Sequence, residues 1–145
     1  MPSKASHFRH TDHPPFREYL QVIDSILVML DRHGYVTFIN QKGCAALGRR
    51  RKDIVGKNWF KIFISPRVRT STRKKFRSLM RGKTSSAKIF ENPIINRKGE
   101  ERLIHWHNVI LRDETGKIMG TLSLGSDITE QKRAEEVLCR RESYL

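Results

Sequence analysis

Acidic residues are scarce in this chain: fifteen Asp and Glu face twenty-nine Lys and Arg in 145 residues, a formal net charge of +14 at pH 7. Cysteine is scarcer still. Cys44 and Cys139 stand far apart in unrelated contexts, so neither a disulfide framework nor a zinc-binding spacing is indicated. No apolar run approaches the roughly 18–20 residues of a membrane span, and the N-terminus lacks the apolar segment of a secretory signal. These absences predict a cytoplasmic segment without membrane contact. Also missing are a Gly-rich phosphate loop, a G-x-S-x-G elbow, an H-E-x-x-H motif and paired carboxylates on a shared element, so no catalytic residues are predicted. A chain of this length forms one domain and buries a core without staples.

The basic excess is localised. Between Arg49 and Lys83 there are fourteen Lys or Arg and a single acid, Asp53. Such a stretch is a solvated basic face or a dock for an acidic protein partner, and nucleic acid is the less favoured partner. The aromatics within it, Trp59, Phe60, Phe63 and Phe76, fall at apolar-periodic positions of a core and not on an exposed stacking platform. Residues 1–15 are polar, carry three prolines and lack periodicity, which predicts a disordered leader. His7, His10 and His13 recur there every third residue; a mobile tail is the plainer reading than a metal site, which needs an ordered second shell.

Phe16, Tyr19, Leu20 and Ile23 keep helical spacing and predict a short helix into the domain. Ile26 to Asp31 and Tyr35 to Asn40 form a hairpin around Arg32-His33-Gly34. Short helices follow at Gln41 to Leu47, closed by Gly48, at Asn58 to Ile64, and from Pro66 to Arg81, where Pro66 suits a first turn. Three strands, about Ala87 to Asn96, Arg102 to Arg112 and Lys117 to Ser126, are joined by turns ending in Gly99 and Gly116. In the middle strand Ile104, Trp106, Asn108 and Ile110 share one face; Leu103, His105, His107, Val109 and Leu111 share the other. The order predicts an α+β domain with one five-stranded antiparallel sheet and short helices over one face. His105 and His107 are the best catalytic or metal candidates, yet no carboxylate or cysteine converges on them, and a surface or interface role is the simpler reading.

The last strand runs straight into a charged helix through Gly125-Ser126-Asp127-Ile128-Thr129-Glu130. Asp127 and Thr129 are of the type that caps helix N-termini, and Glu130 complements the helix dipole, so a helix is predicted from about residue 130 to the end. Gln131, Ala134, Leu138, Arg141 and Leu145 fall on a heptad seam too short to be stable alone, which predicts a partner helix and a continuation into an output domain.

Together with Gly56-Lys57-Asn58-Trp59-Phe60 and the segment from Glu91-Asn92-Pro93 to Trp106-His107-Asn108, this joint resembles the PAS sensor family. The likeness is to bacterial PAS modules that precede signalling enzymes, and it runs from about Tyr19 to Leu138. It implies a sensory and dimerisation domain spanning 16–129, a signalling helix over 130–145, and an output of the histidine kinase, two-component or diguanylate cyclase kind. Photosensory flavin members carry a reactive cysteine directly after Gly-x-Asn, where this chain has Trp59; their flavin amide contacts fall at Ile94, Ile104 and Gly125. Haem members take an axial histidine from the helix matching Pro66 to Arg81, which has none. The resemblance therefore disfavours FMN and haem. It implies an interior pocket lined by Trp59, Phe63, Phe76, Met80, Ile104, Trp106, Asn108, Leu122 and Leu124, holding either a small apolar ligand or a filled core. Tyr19, Ile23, Leu103, Val109 and Leu111 are the expected homodimer surface, and Asp127 and Thr129 the transmission point. The alternative is a basic docking module centred on residues 49–83.

Overall fold

The structure, a computed structural model, describes residues 24–83 and 89–143. Strands β1 (Ile26–Asp31) and β2 (Val36–Ile39) form a hairpin, followed by helix α1 (Gln41–Leu47), a 3-10 turn (Arg51–Asp53) and the one-turn helix α2 (Trp59–Ile62). A second 3-10 turn (Pro66–Val68) opens helix α3 (Arg69–Met80). Strands β3 (Ile89–Ile95), β4 (Glu101–Arg112) and β5 (Ile118–Asp127) then lead into helix α4 (Thr129–Ser143). All neighbouring strands are antiparallel, in the order β2-β1-β5-β4-β3. The class is α+β, as the element order predicts.

Local chemistry explains each boundary. The Asp31 carboxylate accepts from the His33 and Tyr35 amides and closes the first hairpin. Asn96 and Asp113 do the same for the two later turns. The Asn58 side chain caps α2 by accepting from the Phe60 and Lys61 amides. The single helix predicted over Pro66 to Arg81 divides: Ser65 offers no side-chain cap, Pro66 begins a 3-10 turn, and α-helical bonding starts only at Arg69. The predicted N-terminal helix with Tyr19 and Ile23, the three leader histidines and Leu145 lie outside the described residues.

The core lies between the inner sheet face and the helices, with Ile26, Val28, Leu30, Ile104 and Trp106 meeting Leu47, Trp59, Phe60, Phe63 and Phe76. Asn40 ties its edge together. This fully buried side chain accepts from the Leu27 amide at 3.0 Å and the Gly43 amide at 2.9 Å and donates to the Ser25 carbonyl at 2.8 Å, so one residue caps α1 and anchors it to β1. Asn40→Ala should cost about 2–4 kcal/mol, a lost cap plus orphaned buried backbone groups. Urea unfolding checks this, and a loss below about 1 kcal/mol contradicts it.

Candidate functional site

Helix α2 is held over the sheet at both ends. The Trp59 amide donates to the Gly34 carbonyl at 2.9 Å; beyond the helix, the Ser65 amide donates to the Pro93 carbonyl at 3.0 Å and the Ile95 amide to the Phe63 carbonyl at 2.9 Å. This clamp sets Trp59 against Trp106 of β4 and Phe60 against the turn at Gly34, and leaves a small interior cavity. Its volume is about 30 Å³, room for one or two water molecules. Apolar walls come from Val28, Leu30, Trp59, Phe60, Phe76, Leu79, Phe90 and Trp106, while Thr72, Asn92, Asn108, Thr121 and Ser123 supply polar atoms.

Four of the predicted pocket residues, Trp59, Phe76, Trp106 and Asn108, line this cavity. Trp59 and Trp106 meet edge to face at 6.0 Å. The Trp106 indole Nε1 donates to Asn92 Oδ1 at 2.8 Å, and Ser123 Oγ donates to Asn108 Oδ1 at 2.5 Å. Phe63 and Ile104 are fully buried but off the cavity wall. Phe63 lies one turn beyond Trp59 with its ring under the Arg49 guanidinium at 5.7 Å, and Ile104 packs at the Gly125 end of the sheet. Met80, half-buried at the end of α3, faces a separate surface groove.

Leu122 and Leu124, expected in the pocket lining, lie instead on the opposite face of the sheet. Trp106 pairs with Gly125 and Asn108 with Ser123, and directly paired residues share a face, so Thr121, Ser123 and Gly125 point inward. The cause is space. A side-chain carbon on Gly125 would stand 2.6 Å from the Trp106 ring and from Ile104, so only glycine fits beneath that indole. Small inward residues on β5 are thus the counterpart of the large ones on β4. The sequence reading also missed Phe60, Thr72, Asn92, Thr121 and Ser123; the small-residue alternation of β5 opposite Trp106 was the available signal.

Leu103, Val109 and Leu111 do lie on the outer face, with Val109 more than half exposed. Exposed Leu124 and Ile89 both pair with His107, one on each side of it, so the histidine stands between the two apolar residues. His105 and His107 sit among them, ring centroids 5.5 Å apart; contrary to the sequence expectation a carboxylate does reach them, since Glu91 pairs across the strands with His105 and stands 3.5 Å from it. Among the described residues no group of three or more metal-ligating side chains occurs.

The strand-to-helix joint differs in detail from the double cap read in the sequence. Asp127 Oδ1 accepts from the Thr129 amide at 2.9 Å and from its hydroxyl at 2.6 Å. The Thr129 hydroxyl is itself an acceptor for the Leu103 amide of β4 at 2.9 Å, and the Ile128 amide donates to the Leu103 carbonyl at 2.9 Å. Arg102 closes the joint with Asp127 at 2.7 Å and Glu130 at 3.5 Å. Thr129 therefore fastens the start of α4 to β4 instead of capping its own helix. Partial burial pushes the Asp127 carboxyl upward, but the hydrogen bonds from Thr129 and Arg102 together hold it below the usual aspartate value.

Among the described residues no helix is long and apolar enough to cross a membrane. Comparison with known proteins agrees with this architecture. The family model described as PAS fold matches residues 20–133. The chain is 31% identical over 115 residues to the cyclic di-GMP phosphodiesterase PdeR of Escherichia coli (strain K12), covering 79% of this chain and 17% of that protein. It is 28% identical over 120 residues to the transcriptional activator RocR of Bacillus subtilis (strain 168), covering 81% and 24%. The chain thus spans under a quarter of the length of these curated relatives. Among solved structures, the PAS domain of the Cronobacter turicensis quorum-sensing receptor RpfR, in complex with BDSF and with C12:0, superposes with a TM-score of 0.62 at 28% identity, covering 73% of this chain and 95% of that one. A clamped helix over a five-stranded antiparallel sheet, a small mixed-polarity cavity and a tethered exit helix, matched by a family model over most of its length, place this chain in the PAS fold family of sensory signalling domains.

Proposed function

We propose that this domain is a non-enzymatic, cytoplasmic sensor that takes a small, largely apolar molecule into the cavity beneath α2 and α3 and relays its presence through β5 and α4. The observation that carries the reading is the cavity's mixed lining. Apolar and aromatic walls face a polar strip of Asn92, Asn108, Thr121 and Ser123, the arrangement by which a site holds an apolar body and orients it with a few polar contacts. The RpfR domain, named for its complexes with BDSF and C12:0, is similar enough to make such a ligand class the first to try. At about 30 Å³ the cavity must open to accept one, so binding would be coupled to movement of its walls. Trp59 in place of a flavin-reactive cysteine, and a histidine-free α3, support a site without FMN or haem. A second copy is the proposed cover for the outer face, where Ile89, Val109 and Leu124 are exposed around His107. The relatives include both a phosphodiesterase and a transcriptional activator, so this sensor type serves several outputs; histidine kinases and diguanylate cyclases are the outputs proposed here.

One purified sample tests this. The protein should be colourless, scatter light as a dimer, and change its tryptophan emission on titration with dodecanol, because Trp59 and Trp106 both wall the cavity. Ser123→Leu, which fills the cavity at a cost of about 1–3 kcal/mol, should abolish that response while unfolding remains cooperative. Silence from the wild-type protein across a series of chain lengths, with no molecule co-purifying, overturns the ligand reading; a stoichiometric visible band overturns the cofactor reading.

A further inference from the structure

A groove of about 390 Å³ opens on the outer side of α2 and α3. Arg32, Lys61, Arg73, Arg77 and Arg81 line it, and its floor includes Phe60, Phe76 and Met80. Arg73, Arg77 and Arg81 follow one another at four-residue intervals along α3 and its end, so like charges repel along one helix face. Among the described residues no ion pair joins any of these five cations to an acid. Unrelieved repulsion over an apolar floor is resolved when an anion occupies the groove.

The floor is also a wall. Phe60 and Phe76, packed against each other with ring centroids 4.9 Å apart, line both this groove and the interior cavity. The two spaces share this pair of rings, and the inner one, at about 30 Å³, takes no chain without a movement of its walls.

We infer that the groove and the cavity are the two halves of one ligand site, recognising a single-chain amphiphile whose anionic head lies on Arg73, Arg77 and their neighbours while its tail passes between Phe60 and Phe76. This inference rests on the ligand-binding reading above and names its substrate class: a medium-chain carboxylate. Guanidinium groups suit the head because they bind a carboxylate in a bidentate fork, and the field of the basic stretch concentrates anions at the mouth. The basic segment thereby gains a role in ligand selection.

Calorimetric titration of the 145-residue chain with dodecanoate below its micellar concentration and with dodecanol below its solubility limit tests the assignment. Dodecanoate should bind at least about tenfold tighter than the alcohol, and added salt should erode that advantage. The Arg73→Gln/Arg77→Gln variant should lose the advantage while its urea unfolding stays cooperative with the wild-type midpoint, which shows that the fold is intact. Equal affinity for acid and alcohol in the wild type overturns the inference and leaves the ligand reading standing. So does a variant that keeps its preference for the acid, since the head then sits elsewhere, on the Asn108 and Ser123 side. A groove that retards a DNA duplex while the acid ignores the substitutions assigns the cations to nucleic acid. Failure of both probes to bind overturns the ligand reading and this inference together.

Discussion

Trp106→Ala should destabilise the domain by about 3–5 kcal/mol, the range for deleting a buried large aromatic. That is a large share of the roughly 5–15 kcal/mol that holds a typical domain together. Three losses combine. The indole is almost wholly buried, it packs edge to face on Trp59, and its Nε1 hydrogen satisfies the Asn92 carbonyl oxygen. Its removal also leaves Gly125 without the ring that fills the space above it, so the cavity grows on the sheet side. Trp106→Phe separates the contributions: the ring stays, Asn92 is orphaned, and the cost should fall to about 1–3 kcal/mol. Urea titrations of the three proteins decide the matter. Equal loss in both variants would mean that the hydrogen bond, and not the packing, carries the effect.

Combined replacement of Asp127 and Thr129 by Ala should break the joint while sparing the cavity, because neither side chain reaches it. The double variant loses the Arg102 to Asp127 pair and the Thr129 bridge to Leu103. Hydrogen bonds to a charged group are worth about 1.5–3 kcal/mol, and partial exposure of this pair argues for the lower end. Ligand affinity should be kept and stimulus-dependent output lost, since a helix fastened to β4 follows the sheet and an unfastened one does not. An unchanged stimulus response in a stably folded full-length variant would show that the signal leaves by another route. Acid should mimic the substitution. Asp127 is depressed in the folded state, so its contribution is fully present above the unfolded value of about 4 and fades as pH falls through the folded value. Glu101, depressed by hydrogen bonds from Arg67 and then Ser65, behaves in the same direction and loosens the turn before α3 in the same range. Stability should therefore drop below about pH 4, and the Asp127→Ala/Thr129→Ala variant should show a shallower drop than the wild type.

The order of elements, the α+β class and the inward aim of Trp106 and Asn108 were legible in the sequence, because hydrophobic period, turn residues and caps are local properties of a few neighbouring residues. Asn58 announces a helix start, Gly48 a helix end, and Asn96 and Asp113 announce turns, without reference to anything distant. What the sequence could not decide was the parity of β5 against β4. Alternation sorts Leu122 and Leu124 from Thr121, Ser123 and Gly125, but with apolar residues available to both faces it does not say which set is inside. Only the pairing of Trp106 with Gly125 settles that, through the space an indole needs. The same limit applies at the joint, where Thr129 looks like a cap until β4 is beside it and the Leu103 amide claims its hydroxyl. It applies again to Phe60 and Phe76, whose place in the walls of both a basic groove and the interior cavity exists only once α2 and α3 are packed together. Sequence alone determined which local structures form; the tertiary structure decided which faces meet, because that choice depends on volumes and hydrogen-bond partners contributed by residues far apart in the chain.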